Sequence, residues 1–346
     1  MIKIELEDHQ FIEFDEQNRL FFYGSNQQMR QQLIRSLKRF GLKKALNELE
    51  EVVYGENGLE IYRDNQLLNP KNIDFLFVQD NLSIYKEVAL TKGSLMAEFL
   101  KSFGEEVAVN FQLEEIKNHL LEIELIFNEK LAQISNNISS NLTDLTFDDL
   151  LKNHVFLSYF DSRHDFPLEM MDANELLDEY VKLLSEKLMR HPKETWLILV
   201  NPASFLTSER IQFLLESLEQ IAEETGLLKV WIISNQVLDF PHQLSDISGT
   251  IILASDAYQM PEFSDFRKSI ENHYPEKLEM TDEVLCQKFY EIVSNIGIKP
   301  SITGKASRNM VLLKVIDELL GFDDLPFSVK FDELSTAEKS YLLSEN

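Results

Sequence analysis

Leu20-Phe21-Phe22-Tyr23-Gly24-Ser25-Asn26-Gln27-Gln28-Met29-Arg30-Gln31 reads as a short apolar strand, a glycine turn and the opening of a helix that runs to about Phe40. That is the layout of a phosphate-binding loop. The stretch from Gly24 to Gln31 also fits the template G-x-x-x-x-G-K-[ST] in length. Its last three positions do not fit. Met29 brings a side chain where backbone should approach phosphate, Gln31 offers no hydroxyl to Mg²⁺, and Arg30 keeps only a positive charge. The stretch reads as a nucleotide-binding scaffold that has lost its nucleotide chemistry and gained a basic surface.

The surrounding window, residues 17–47, holds seven basic side chains and no acidic one, in a chain of formal net charge -26. On a helix advancing about 100° per residue, Arg35, Lys38, Arg39 and Lys43 cluster on one side, with Leu33, Leu37 and Phe40 opposite. Such a helix buries its apolar stripe on a sheet and presents cations outward. With no aromatics interleaved on the basic side, the pattern suits backbone contact with duplex nucleic acid better than base stacking. A cationic face pairing with the acidic surface of another subunit is the other reading. A smaller basic island, Lys299, Lys305, Arg308 and Lys314, lies in 292–316. Two such islands on an acidic body would direct a polyanion to one place.

Continuous apolar strands alternating with amphipathic helices extend the α/β pattern. Strands are expected at Ile2–Leu6, Leu59–Tyr62, Phe75–Val78, Val155–Phe160, Trp196–Val200, Val230–Ser234 and Thr250–Ala254. Helices are expected over about 172–190 and 208–224, with turns at Asn57-Gly58 and Asn69-Pro70. Four regions result: 1–93 and 142–258 as two parts of one α/β domain, 94–141 as a helical insertion, and 259–346 as a mostly helical extension. The insertion carries Leu113, Ile116, Leu120, Ile123, Phe127, Leu131 and Ile134 at helical spacing, as a protrusion used in oligomerisation would. Thr146-x-x-Asp149 and Ser335-x-x-Glu338 have the spacing of helix-opening capping boxes.

Bulk properties narrow the class. The 346 residues, 44% hydrophobic and 27% charged, suit a soluble protein with a real core. The apolar runs are too short to cross a bilayer, the N-terminal residues lack a signal-peptide pattern, and the lone Cys286 excludes an internal disulfide framework. A cytoplasmic protein without membrane contact is the expectation. Strand Trp196–Val200 ends in Asn201, where active P-loop enzymes place an acidic residue that helps hold Mg²⁺. The degenerate site therefore comprises Gly24, Met29, Arg30, Gln31 and Asn201. No zinc spacing, G-x-S-x-G or paired-carboxylate pattern nominates a catalytic residue. No nucleotide cofactor is expected, although an ATP-driven DNA motor of the P-loop class remains the enzymatic alternative.

The string Leu197-Ile198-Leu199-Val200-Asn201-Pro202-Ala203-Ser204-Phe205-Leu206-Thr207, followed by Asp239-Phe240-Pro241 and the strand Thr250–Leu253, resembles the type II-A CRISPR-associated Csn family, member two, in its longer streptococcal form. The likeness covers about 150–255 best, 94–141 more loosely, and the N-terminal region by layout. It implies a degenerate P-loop NTPase-like α/β head with a mainly parallel sheet, an inserted α-helical leg and a helical C-terminal extension. It further implies a non-enzymatic homotetrameric ring that holds linear double-stranded DNA in a basic channel, loads from free ends, and serves spacer acquisition in antiviral defence alongside other CRISPR adaptation proteins. Bound calcium stabilises the ring in shorter members, and the resemblance assigns no calcium ligand here. Arg30, Arg35, Lys38, Arg39 and Lys43, with Lys299, Lys305 and Arg308, are the phosphate contacts this reading nominates. A scaffold for other adaptation proteins is the non-DNA alternative.

Overall fold

The computed structural model describes residues 1–44, 46–54, 59–161, 163–298, 307–322 and 334–344. They form two compact units, Met1–Asp80 with His191–Asn346, and Asn81–Arg190. The first unit opens with β1 (Ile2–Glu5), β2 (Phe11–Phe14), β3 (Arg19–Tyr23), α1 (Gln27–Gly41), α2 (Glu48–Tyr54), β4 (Ile61–Arg63), β5 (Gln66–Leu67) and β6 (Asp74–Val78). The second contains α3 (Asn81–Val88), α4 (Leu95–Ser102), α5 (Val107–Ala132), α6 (Phe147–His154), β7 (Ser158–Asp161), β8 (His164–Pro167) and α7 (Ala173–Arg190). The first unit resumes with β9 (Thr195–Val200), α8 (Ser208–Thr225), β10 (Leu228–Ile233), β11 (Thr250–Leu253), β12 (Ala257–Gln259), α9 (Phe263–His273), α10 (Asp282–Ile292), α11 (Ser307–Leu319) and α12 (Thr336–Leu343).

The central sheet has the order β12-β11-β3-β10-β9-β6. Every pairing in it is parallel except that of β12 with β11, so the chain is a mixed α/β protein with a mainly parallel sheet. All six residues of β9 are buried, as a strand covered on both faces requires. Side chains of β3 alternate between two cores. Leu20 and Phe22 join Phe14, Trp231 and the α1 residues Leu33 and Leu37 on one face. Phe21 stacks on Phe240 and Tyr23 meets Tyr290 edge-on on the other. Each fully buried Leu or Phe contributes about 1.5–3 kcal/mol to this packing.

Tyr290 belongs to α10, and its hydroxyl lies 2.9 Å from that of Thr250 on β11. The helices after residue 259 therefore cover the sheet and share its unit. A second, antiparallel sheet, β2-β1-β4-β5, shares the α1 core through Ile2, Ile4, Ile12 and Ile61. Its β4–β5 hairpin turns on Asp64 and Asn65, both at positive φ as a type I′ turn demands. The expected Asn57-Gly58 turn lies outside the described residues.

The helical unit is larger than the expected insertion at 94–141. The stretch read as a parallel-sheet strand, Val155–Phe160, instead contributes β7, which pairs antiparallel with β8 inside the second unit. Its side chains explain the difference. Phe156 and Phe160 are exposed, so the segment alternates rather than running buried on both faces. Helix α7 packs on α3 and α4 within the second unit. On α5 only Leu113 is buried, while Ile123 and Phe127 of the expected apolar stripe are exposed. Both expected capping boxes form, at Thr146 with Asp149 and at Ser335 with Glu338.

Candidate functional site

The loop between β3 and α1 is fixed by the end of β11. Gly24 sits at φ +118°, and a Cβ there would lie 2.3 Å from the Leu253 carbonyl oxygen. Only glycine satisfies both the dihedral and the approach. The Asn26 backbone N–H donates to the same carbonyl at 3.0 Å, and its side-chain amide donates to the Ala254 carbonyl at 2.6 Å. The Asn26 carboxamide oxygen accepts from the Met29 N–H at 2.9 Å, capping α1. In a phosphate loop these early helix N–H groups point at the ligand. Here the cap engages one of them internally.

Arg30 completes the closure. Its Nη2 donates to the Gly24 carbonyl at 2.5 Å, and the side chain is buried. Burial pulls its pKa below the ordinary guanidinium value. A phosphate loop aims backbone N–H donors at an anion, whereas this loop aims a carbonyl at a cation, so its polarity is reversed. Met29 is buried in the α1 core and Gln31 is exposed on the helix surface.

Asn201 lies at the carboxyl end of β9, with β10 between it and β3. That offset is about 10 Å at ordinary strand spacing. Asn201 is left-handed (φ 47°, ψ 52°), a conformation asparagine tolerates. Its N–H donates to the Ile233 carbonyl and its Oδ1 accepts from the Asn235 N–H, both at 2.9 Å. The side chain stitches two strand ends together, a structural use that explains an amide at this position.

The expected outward row of cations on α1 is only partly present. Arg35 and Lys38 lie at the surface, Arg35 paired with Glu7 at 2.5 Å and Lys38 bonded to Gln79 at 2.6 Å. Lys43, left-handed at φ 56°, follows the helix and pairs with Asp74 at 2.8 Å. Arg39 is buried, which corrects its placement among outward cations. Its guanidinium pairs with Glu50 at 2.9 Å and donates to the Lys44 carbonyl at 3.1 Å, because the chain through α2 folds over that side of α1. Arg30 is corrected on the same ground, turned back over its loop. Gly41 is helical, and a Cβ there would meet the Phe75 Cβ at 2.9 Å, so it serves close packing on β6.

In the second island, Lys299 and Lys305 lie outside the described residues. Arg308 is exposed at the start of α11. Lys314 is buried and donates to the Tyr341 and Ser344 carbonyls at 2.7 and 2.8 Å, capping the end of α12. Among the described residues no group of three or more His, Cys, Asp or Glu side chains could hold a metal ion within one chain. No described helix is long and apolar enough to cross a membrane.

Sequence reasoning missed a part-buried charge cluster centred on Arg19. Arg19 donates to Asp246 at 2.6 Å and to Glu219 at 2.9 Å. Burial raises the Asp246 carboxyl against the pull of Arg19. These partners are 200 and more positions apart, so no local pattern signals them.

No protein-family model matches this chain, and no curated protein does. Among solved structures, the crystal structure of Stu0660 of Streptococcus thermophilus aligns at TM-score 0.85 over 96% of this chain and 97% of its own, with 14% identity. That likeness shows a shared full-length fold and nothing finer. CbiO1 from Clostridium perfringens, part of the ABC transporter complex CbiONQ, aligns at TM-score 0.37 with 10% identity over 79% of this chain and 95% of its own. A likeness of that size assigns nothing.

Proposed function

We propose that this protein is a non-catalytic, cytoplasmic binder of linear double-stranded DNA that acts as a homotetrameric ring in type II-A CRISPR spacer acquisition. The observation that carries the non-catalytic part is the reversed polarity of the β3–α1 loop, where Arg30 hydrogen-bonds Gly24 and Asn26 caps the Met29 N–H. ATP binding would need those groups turned outward, which argues against the motor alternative. The resemblance in sequence supplies the DNA and ring elements of the reading, and the full-length fold shared with a streptococcal protein accords with it. Exposed apolar residues on α5 support subunit contact through the helical unit. The contacts to phosphate reduce to Arg35, Lys38, Lys43 and Arg308 among the described residues. Each of the first three already has an intramolecular partner, so DNA phosphate competes with Glu7, Gln79 and Asp74 and binding falls steeply with salt.

One experiment tests the reading: binding to one DNA sequence in linear and covalently closed circular forms, without nucleotide, across a salt titration. Linear-only binding with a steep salt slope fits a ring loaded from ends. Equal binding to both forms removes the closed ring, and binding to neither leaves the scaffold alternative.

A further inference from the structure

A cleft of about 1030 Å³ opens in the first unit between the 237–244 loop, the first turn of α8 and α10. Its rim carries the carboxylates Glu209, Asp239, Glu283 and Glu291, and no lysine or arginine lines it. Its charge is thus opposite to that required by a nucleic acid. The carboxylates are spread along the rim. Among the described residues no three acidic or metal-ligating side chains gather where they could hold one ion. The spacing suits a ligand that carries its positive charge on several N–H groups over some length.

The wall behind the rim is aromatic. Phe240, half-buried, lies 4.1 Å from the His242 ring, which stacks on Tyr290 at 3.4 Å and 8°. The His242 side chain is only 5% exposed, yet neither ring nitrogen has a hydrogen-bond partner of ordinary length. The polar groups facing it are the Leu238 carbonyl and, at 3.8 Å, the Asp246 carboxylate. Burial pushes the imidazole down to about 3, so at neutral pH the ring is uncharged and one nitrogen is an acceptor.

Carboxylates beside an aromatic shelf select among cations. An ammonium is a compact, strongly hydrated charge. A guanidinium is planar, stacks on aromatic faces, gives up water more readily and forks its donors to carboxylates. We propose that this cleft receives an arginine-bearing segment of a partner protein. The proposal is independent of the DNA reading and places protein recognition on a surface separate from the α1 cations.

Fluorescence anisotropy of the full-length protein with labelled acetyl-tetraarginine amide tests it, with tetralysine and spermine as competitors. Glu209→Gln with Glu283→Gln, both at exposed first-turn positions of their helices, should weaken tetraarginine binding about tenfold. The charge-matched pair Glu115→Gln with Glu129→Gln, on exposed positions of α5, should leave it unchanged. Phe240→Leu should weaken tetraarginine more than tetralysine, and tetralysine and spermine should both compete poorly. Equal loss in the α5 control would reduce the effect to bulk acidity and overturn the proposal. So would tetralysine or spermine binding as tightly as tetraarginine, or no binding of tetraarginine by the wild type.

Discussion

The Arg30 guanidinium donates to the Gly24 carbonyl across the turn that joins β3 to α1, and so occupies the loop from within. The bond links two features that look unrelated in the sequence: a glycine that nothing else can replace, and an arginine in the position of a phosphate-binding lysine. A loop closed in this way supports the fold without a ligand.

Gly24→Ala should therefore destabilise the protein by about 3 kcal/mol or more, since the methyl group would press on the Leu253 backbone and φ +118° disfavours any L side chain. Arg30→Ala should cost about 1–3 kcal/mol by leaving the Gly24 carbonyl without its donor. Urea unfolding midpoints measure both. DNA affinity of folded Arg30→Ala should stay within about twofold of wild type, because a buried guanidinium neutralises no bound phosphate. A tenfold loss would return Arg30 to the interface.

Substituting the surface cations tests the proposed interface. The triple variant Arg35→Ala, Lys38→Ala, Lys43→Ala should weaken linear duplex binding for every sequence. It should also lower the slope of log affinity against log salt by roughly 0.9 for each phosphate that is no longer neutralised. Stability should change little, since pairs such as Arg35–Glu7 lie at the surface and are worth about 0–1 kcal/mol. An unchanged affinity and slope in the folded variant would show that α1 is not the DNA surface.

How much of this was legible in the sequence follows the range of the interactions concerned. The alternation of apolar strand and amphipathic helix is local, and it located β3, α1, β9, α8, β10 and β11 to within one or two residues at most ends. The stripe Leu33, Leu37 and Phe40 was likewise readable, because burial on a helix face follows its period. The fate of the cations was not. Whether Arg39 points outward depends on Glu50 and the Lys44 carbonyl folding over it, and helical periodicity carries no information about such a covering segment. Segment 155–160 departs from expectation for a related reason: its apolar residues suggest a buried strand, yet its pairing partner is the adjacent 164–167 strand. The cleft beside His242 has no local sequence signature, because its walls come from three separated stretches of chain.

Asp317 gives the fold a pH dependence that can be worked out in sign. Burial pushes its carboxyl up to about 7, opposed by the Gly297 N–H that donates to Oδ1 at 2.8 Å and helped by the neighbouring Glu318. The folded state therefore holds the proton more tightly than the unfolded chain, whose value is near 3.8. Stability from this group is fully present below about pH 4 and is lost as pH rises through about 7. Asp317→Asn keeps an acceptor for Gly297 and removes the titration. Its stability should match wild type at pH 4 and exceed it by roughly 2–4 kcal/mol at pH 8. Thermal unfolding across that range measures the difference, and parallel curves for the two proteins would exclude Asp317 as the titrating group.

The apolar surface of α5 lets the proposed assembly be tested without touching the α1 cations. Ile123 and Phe127 are exposed one turn apart, and the only buried α5 residue, Leu113, lies far enough along the helix to be untouched by changes there. An exposed apolar pair on a long helix is stable in water when a partner covers it, and each such side chain buried between subunits contributes about 1.5–3 kcal/mol. Ile123→Glu with Phe127→Glu should therefore lower the sedimentation coefficient to that of a smaller species while leaving the far-ultraviolet circular dichroism unchanged. If the proposed ring is required to hold DNA, linear duplex affinity should fall with it even though every α1 cation is intact. A variant that sediments as wild type would place the subunit contacts on another surface. One that dissociates yet binds DNA unchanged would assign DNA to the single chain and remove the ring from the mechanism.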